Sequence, residues 1–125
     1  MGAAAEAWAA QWLESQGARV VLRNFRRRRG ELDLVIEHGG ALAIVEVRMR
    51  RTGAFGGAAA SVGSHKQRRL VIAATQLLQS RPDLARWPVR FDVIALRPAT
   101  AGDDGTAPRA PYEIEWIRHA FSAGG

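Results

Sequence analysis

Cysteine is missing altogether from this sequence of 125 residues, and lysine and tyrosine occur once each. Without cysteine there is no disulfide framework, no thiolate nucleophile and no cysteine-ligated metal. No apolar run approaches the length needed to span a bilayer. The N-terminus lacks a basic segment followed by a hydrophobic core, so no secretory signal peptide is expected either. The three histidines, His38, His65 and His119, are scattered without ligand spacing, which argues against zinc. The glycines of "HGG" and "FGG" are turn material, since no helix start with Lys-Ser/Thr follows them as a phosphate loop requires. These absences point to a cytoplasmic protein with no membrane partner.

What is abundant is arginine. Lysine and arginine number 18 against 12 acids, a net charge of +6, and only Lys66 is not an arginine. The pI of about 11.3 favours a polyanionic partner, nucleic acid above all. A GC-rich coding background, which favours arginine and alanine codons over lysine, would also raise the arginine count. The length fits one domain, residues 1–125, with enough chain to bury a core.

Periodicity orders the elements. Ala5, Trp8, Ala9, Trp12 and Leu13 follow the spacing of a buried helical stripe, with Gly17 as the stop. "ARVVLRNF" (18–25) reads as a strand and "RRRRG" as an exposed basic connection. Residues 31–37 and 41–50 alternate with period two around Gly39-Gly40, a hairpin signal. The stretch 51–63 has no clear period and is expected to be a mobile loop. "SHKQRRLVIAATQLLQS" predicts a second helix with Ser64 as N-cap, an apolar face of Leu70, Ala73, Ala74, Leu77 and Leu78, and an end at Pro82. A strand at 89–96, a Pro/Gly/Ala-rich loop at 97–111, a strand at 112–117 and a fraying tail complete the chain. The order helix, three strands, helix, two strands predicts an α/β domain with a mixed sheet flanked by helices.

The hairpin holds a puzzle. A two-residue turn at Gly39-Gly40 pairs His38 with Ala41, and so sets Asp33 opposite Glu46 and Glu31 opposite Arg48. Alternation then puts these four on one face, and Leu32, Leu34 and Ile36 against Val47, Val45 and Ala43 on the other. Opposed like charges are destabilising. Either a divalent cation such as Mg²⁺ sits between the acids, or one of them is protonated, or Arg48 neutralises them through salt bridges to Glu31 and Glu46.

"GELD" (30–33) followed by "IVEVRMR" (44–50) resembles the D…ExK pattern of the restriction-endonuclease-like PD-(D/E)XK nuclease superfamily. More narrowly, the chain resembles the YraN-type family of uncharacterised endonuclease-like proteins. The matching residues are Glu6, Ala9, Leu13 and Gly17; Asn24 and Arg26; "GELD"; Glu46-Val47-Arg48; Arg50; "FGG" at 55–57; Lys66; "RFDV" at 90–93; and "AF" at 120–121. The resemblance implies an α-β-β-β-α-β core and Mg²⁺ (or Mn²⁺) held by Asp33, Glu46 and the Val47 carbonyl, with Glu6 as an extra acid. The superfamily lysine falls on Arg48, which cannot act as a base. Three readings stay open: Arg48 supplies only charge, Lys66 reaches in from the second helix, or the site binds without cutting.

The expected activity is metal-dependent hydrolysis of phosphodiester bonds, in DNA more than RNA, with branched or structured DNA as a candidate substrate. The alternative is a non-catalytic nucleic-acid-binding module on the same scaffold. Arg26, Arg27, Arg28 and Arg29, with Arg50, Arg51, Arg68 and Arg69, are candidate phosphate contacts, which fix position and carry no base specificity. Gln67 is a candidate for pointing into the site. Asp92 reads as a partner for an arginine, in the neighbourhood of Arg90, and the four tryptophans as core or rim packing. A domain this small often pairs to cut two strands, so a homodimer stays open.

Overall fold

A computed structural model describes residues 3–50, 57 and 61–123. The elements run α1 (Ala3–Ser15), β1 (Arg19–Arg27), β2 (Gly30–His38), β3 (Ala41–Met49), α2 (Ser64–Ser80), α3 (Pro82–Ala85), β4 (Val89–Pro98) and β5 (Tyr112–Phe121). The five strands lie side by side in sequence order. β3 and β4 are parallel and every other pair is antiparallel. Two parallel neighbours need a crossover, and α2 lies in the connection between them. The mixed α/β architecture is as expected. Among the described residues no helix is long and apolar enough to cross a membrane.

The two faces of the sheet carry separate cores. Ala5, Ala9, Ala10 and Leu13 of α1 pack on Leu34, Ile36, Ala43, Val45 and Val47. Leu70, Ala73, Ala74 and Leu77 of α2 pack on Leu32, Val35, Leu42, Ile44 and Phe91. α1 is closed two residues beyond its end by Gly17, whose φ of 92° lets the Ala18 N–H turn back to the Leu13 carbonyl at 3.1 Å. α2 lies unusually close to the start of β2. A Cβ on Gly30 would stand 2.6 Å from the Arg69 carbonyl oxygen, which is why "GELD" opens with glycine.

Several boundaries differ from expectation. β1 runs through Arg26 and Arg27, which pair with Glu31 and Gly30, so only Arg28 and Arg29 form the connection. The helix expected to be capped by Ser64 is capped by Gly63. Pro82 opens α3 at its first turn, where a missing N–H costs nothing. Arg97 and Pro98 belong to β4. The tail expected to fray continues β5 to Phe121, whose ring stacks on Phe91 at 5.0 Å. Of the expected mobile loop 51–63, residues 51–56 and 58–60 lie outside the described residues.

Candidate metal centre and nucleic-acid cleft

The hairpin register is the expected one. His38 pairs with Ala41, and the ladder continues to Leu34 and Val45. Gly39 and Gly40 both have positive φ, 60° and 76°, as a two-residue turn of this hand demands. The ladder stops one step before the acids. Asp33 Oδ2 accepts the Val47 N–H at 3.0 Å, so a carboxylate fills the place of a main-chain acceptor. The strands part at this point, and strict alternation breaks with them. Leu34 and Ile36 stay in the α1 core, but Leu32 packs in the α2 core. The expectation that Leu32, Leu34 and Ile36 share a layer therefore fails at Leu32. The neighbouring strand bends at the same row, since Asn24, which faces Asp33 between the pairs Arg23–Leu34 and Phe25–Leu32, has a φ of 56°.

This parting brings three acids from three elements together. Asp33 lies in the seam, where its charge acts on both Glu46 of β3 and Glu6 of α1. Glu46 is 6% exposed. Burial, then the charge of Asp33, push its pKa up to about 7, against the opposing pull of Lys66 and Arg48. Glu6 is raised for the same two reasons, burial first. The cation at ion-pair distance from Glu46 is Lys66, with Nζ 3.5 Å from Oε2. Neutralisation of the acids by Arg48 salt bridges is not what the structure has. Glu31 pairs with Arg26 at 3.8 Å, and Arg48 Nε is buried without a hydrogen-bond partner.

Among the described residues no group of three or more His, Cys, Asp or Glu side chains forms a ready-made metal cage. The donors present are two adjoining carboxylates and a carbonyl. Val47 lines the same cleft and turns its N–H to Asp33, and in an extended strand the carbonyl of a residue lies on the same side as its N–H. That set suits a hard cation that keeps several of its waters, as Mg²⁺ does.

A cleft of about 730 Å³ opens over the seam, with Glu6, Asn24, Arg26, Glu31, Asp33, Glu46, Val47, Arg48 and Lys66 in its walls. All the predicted metal and catalytic residues thus meet in one place. The arginines divide. Arg26 lines the cleft, whereas Arg27 folds over the Phe25 ring at 4.1 Å. Arg28, Arg29, Arg68 and Arg69 are exposed outside it. Arg69 Nε donates to the Arg29 carbonyl at 3.2 Å and ties α2 to the β1–β2 turn. Arg50 follows β3, its N–H donating to the Leu96 carbonyl, and Arg51 lies outside the described residues. Gln67 is not in the cleft wall; its amide donates to the Val62 carbonyl at 2.8 Å. Sequence reasoning gave Asn24 no role, although an asparagine inside a strand is itself a signal of a left-handed kink.

Asp92 has the structural role expected of it. It is fully buried, and it takes hydrogen bonds from Arg90 Nε at 3.1 Å, Trp116 Nε1 at 2.9 Å and the His119 N–H at 3.0 Å. The left-handed φ of 54° at His119 is what aims that N–H at the carboxylate.

The sequence profile of UPF0102, an uncharacterised protein family, matches residues 5–96. A UPF0102 protein of Xanthomonas euvesicatoria pv. vesicatoria is 48% identical over 122 residues, covering 98% of this chain and 91% of the relative. One from Stutzerimonas stutzeri is 43% identical over 122 residues, covering 98% and 94%. One from Saccharophagus degradans is 44% identical over 121 residues, covering 97% and 92%. With nearly the whole of each chain aligned, this protein belongs to the UPF0102 family.

Proposed function

We propose that this protein is a metal-dependent endonuclease built on a restriction-endonuclease-like core, cutting phosphodiester bonds of DNA, with branched or otherwise structured DNA as its substrate class. One observation carries the reading. Asp33 leaves the β2–β3 ladder to meet a buried Glu46 whose partner is the chain's only lysine, inside a cleft with arginines in its wall. A core does not need two carboxylates in contact. A cation site does, because each acid raises the pKa of the other until positive charge arrives.

A Mg²⁺ or Mn²⁺ ion held by Asp33, Glu46 and the Val47 carbonyl, with Glu6 alongside, would supply Lewis acidity and an acidified water. The remaining tasks fall to the chain. Arg26 and Arg48 attract and seat the phosphate, and Arg48, permanently charged, stabilises the negative charge that develops on its oxygens. Lys66, at ion-pair distance from Glu46, brings a second positive charge and orients the attacking water through its ammonium N–H groups. The exposed arginines of the β1–β2 turn and α2 extend the phosphate track. A working enzyme of this size would act in the cytoplasm, and as a homodimer where both strands are cut.

The test is a cleavage panel of supercoiled plasmid, single strands, flaps, four-way junctions and structured RNA, run with Mg²⁺, Mn²⁺ or EDTA. Metal-dependent cutting that Asp33→Asn abolishes is the expected result, and the preferred member names the substrate. Arg48 at the superfamily lysine position favours a second reading, a nucleic-acid-binding module without catalysis. It predicts salt-sensitive binding, no cleavage of any member, and binding that Glu46→Gln leaves intact.

A further inference from the structure

Among the described residues two that are not glycine have left-handed backbone, His119 and Asn24. The kink at His119 is accounted for by its hydrogen bond to Asp92. The kink at Asn24 has no such account. It sits in the middle of β1, where a left-handed residue interrupts the extended backbone of the strand. Its side chain is exposed and lines the cleft beside Asp33 and Arg26. Among the described residues nothing hydrogen-bonds its carboxamide. Strained backbone held at a cleft, presenting an unpartnered polar group, is where binding function concentrates.

We infer that the Asn24 carboxamide is a substrate contact, donating a neutral hydrogen bond to a phosphate oxygen of the nucleic-acid backbone in the cleft. The inference rests on the nuclease reading above and deepens it. Asn24 and Arg26 stand two residues apart on the edge strand and together make the β1 wall. Arg26 brings charge to the phosphates. Asn24 brings a directional amide without charge, which fixes where along the strand the backbone is gripped. The left-handed kink at Asn24 and the end of the β2–β3 ladder at Asp33 fall on one row, and both residues line the same cleft.

The charge difference and the backbone difference make the test. Binding of a fluorescein-labelled DNA duplex and a labelled four-way junction is followed by anisotropy, with Ca²⁺ replacing Mg²⁺ so that cutting does not intervene. Asn24→Gly keeps the left-handed backbone and deletes only the amide. It is expected to bind about fivefold more weakly, the worth of one neutral hydrogen bond, with the slope of log K against log salt unchanged. Arg26→Ala is expected to reduce that slope by about one. Mn²⁺ binding should be the same in wild type and Asn24→Gly. Wild-type affinity in Asn24→Gly, with loss only in Asn24→Ala, would overturn the inference and leave Asn24 a backbone hinge. Failure of the wild type to bind either DNA would instead overturn the nuclease reading itself.

Discussion

Replacing Glu46 by Gln should make the metal-free protein more stable. Glu46 is 6% exposed and in contact with Asp33. Its pKa rises from 4.5 to about 7, so the folded chain holds a proton there more tightly than the unfolded one. The cost of ionising it appears as pH climbs above the unfolded value and is complete above the folded value. At about 1.4 kcal/mol per pKa unit this amounts to about 3 kcal/mol at pH 8, as an upper bound. Glutamine keeps the shape and never ionises. In EDTA at pH 8 the variant should therefore melt higher, by up to roughly 10 °C for a domain of this size. At pH 4 the advantage should be almost gone, since the glutamate is then mostly protonated in both states. Added Mg²⁺ should stabilise the wild type, by about 2.7 kcal/mol at a hundredfold excess over its dissociation constant, and leave the variant where it was. The assay is thermal unfolding by circular dichroism across pH, with EDTA and with Mg²⁺. A variant less stable than wild type in EDTA at pH 8 would refute the reasoning, because it would mean that Glu46 holds the fold together and is not strained within it.

Other perturbations separate the site from its scaffold. Lys66→Ala should cut the cleavage rate by about 100-fold, the usual worth of one positioned charge. It should also shift the acidic limb of the pH–rate profile upward, since Lys66 is the leading influence lowering the Glu46 pKa; an unchanged rate would remove Lys66 from the chemistry. Gly30→Ala should lose about 1–3 kcal/mol in urea unfolding, because its Cβ would meet the Arg69 carbonyl at 2.6 Å and Ala73 Cβ at 3.3 Å. An unaltered midpoint would mean that α2 can retreat freely. Asp92→Ala should cost about 3–5 kcal/mol in the same assay, as it strands Arg90 without its buried partner. A small loss would show that His38 and the Trp116 ring suffice to hold that guanidinium.

The hairpin shows how far the sequence could be read. Period-two alternation and a Gly-Gly turn are local rules, and they place His38 opposite Ala41 and Asp33 in line with Glu46. The parting of the strands at Asp33 is a competition between a side-chain acceptor and a main-chain one for the Val47 N–H. Alternation has no term for it, so Leu32 went to the wrong core. The salt bridges went astray for a related reason. Arg48 is close to the acids along the strand, but Lys66 arrives from α2 across the crossover, and only tertiary packing brings it to Glu46. The β5 tail reads as polar and ragged between Arg118 and His119. It is held by Phe121 on Phe91 and by the His119 N–H on Asp92, contacts made to a strand more than twenty residues away. Asn24 could have been found, because asparagine is among the few residues that tolerate a left-handed φ and is depleted in strands.

The claim that the seam between β2 and β3 holds a divalent cation for cutting nucleic acid is tested most directly by one titration. Cleavage of an end-labelled four-way junction and of supercoiled plasmid is followed as a function of Mg²⁺ concentration, with wild type and Glu46→Gln purified in parallel. The account predicts a saturable dependence on Mg²⁺ in the wild type and none above background in the variant. Cleavage that persists in EDTA, or that survives in Glu46→Gln with the same Mg²⁺ dependence, would contradict it.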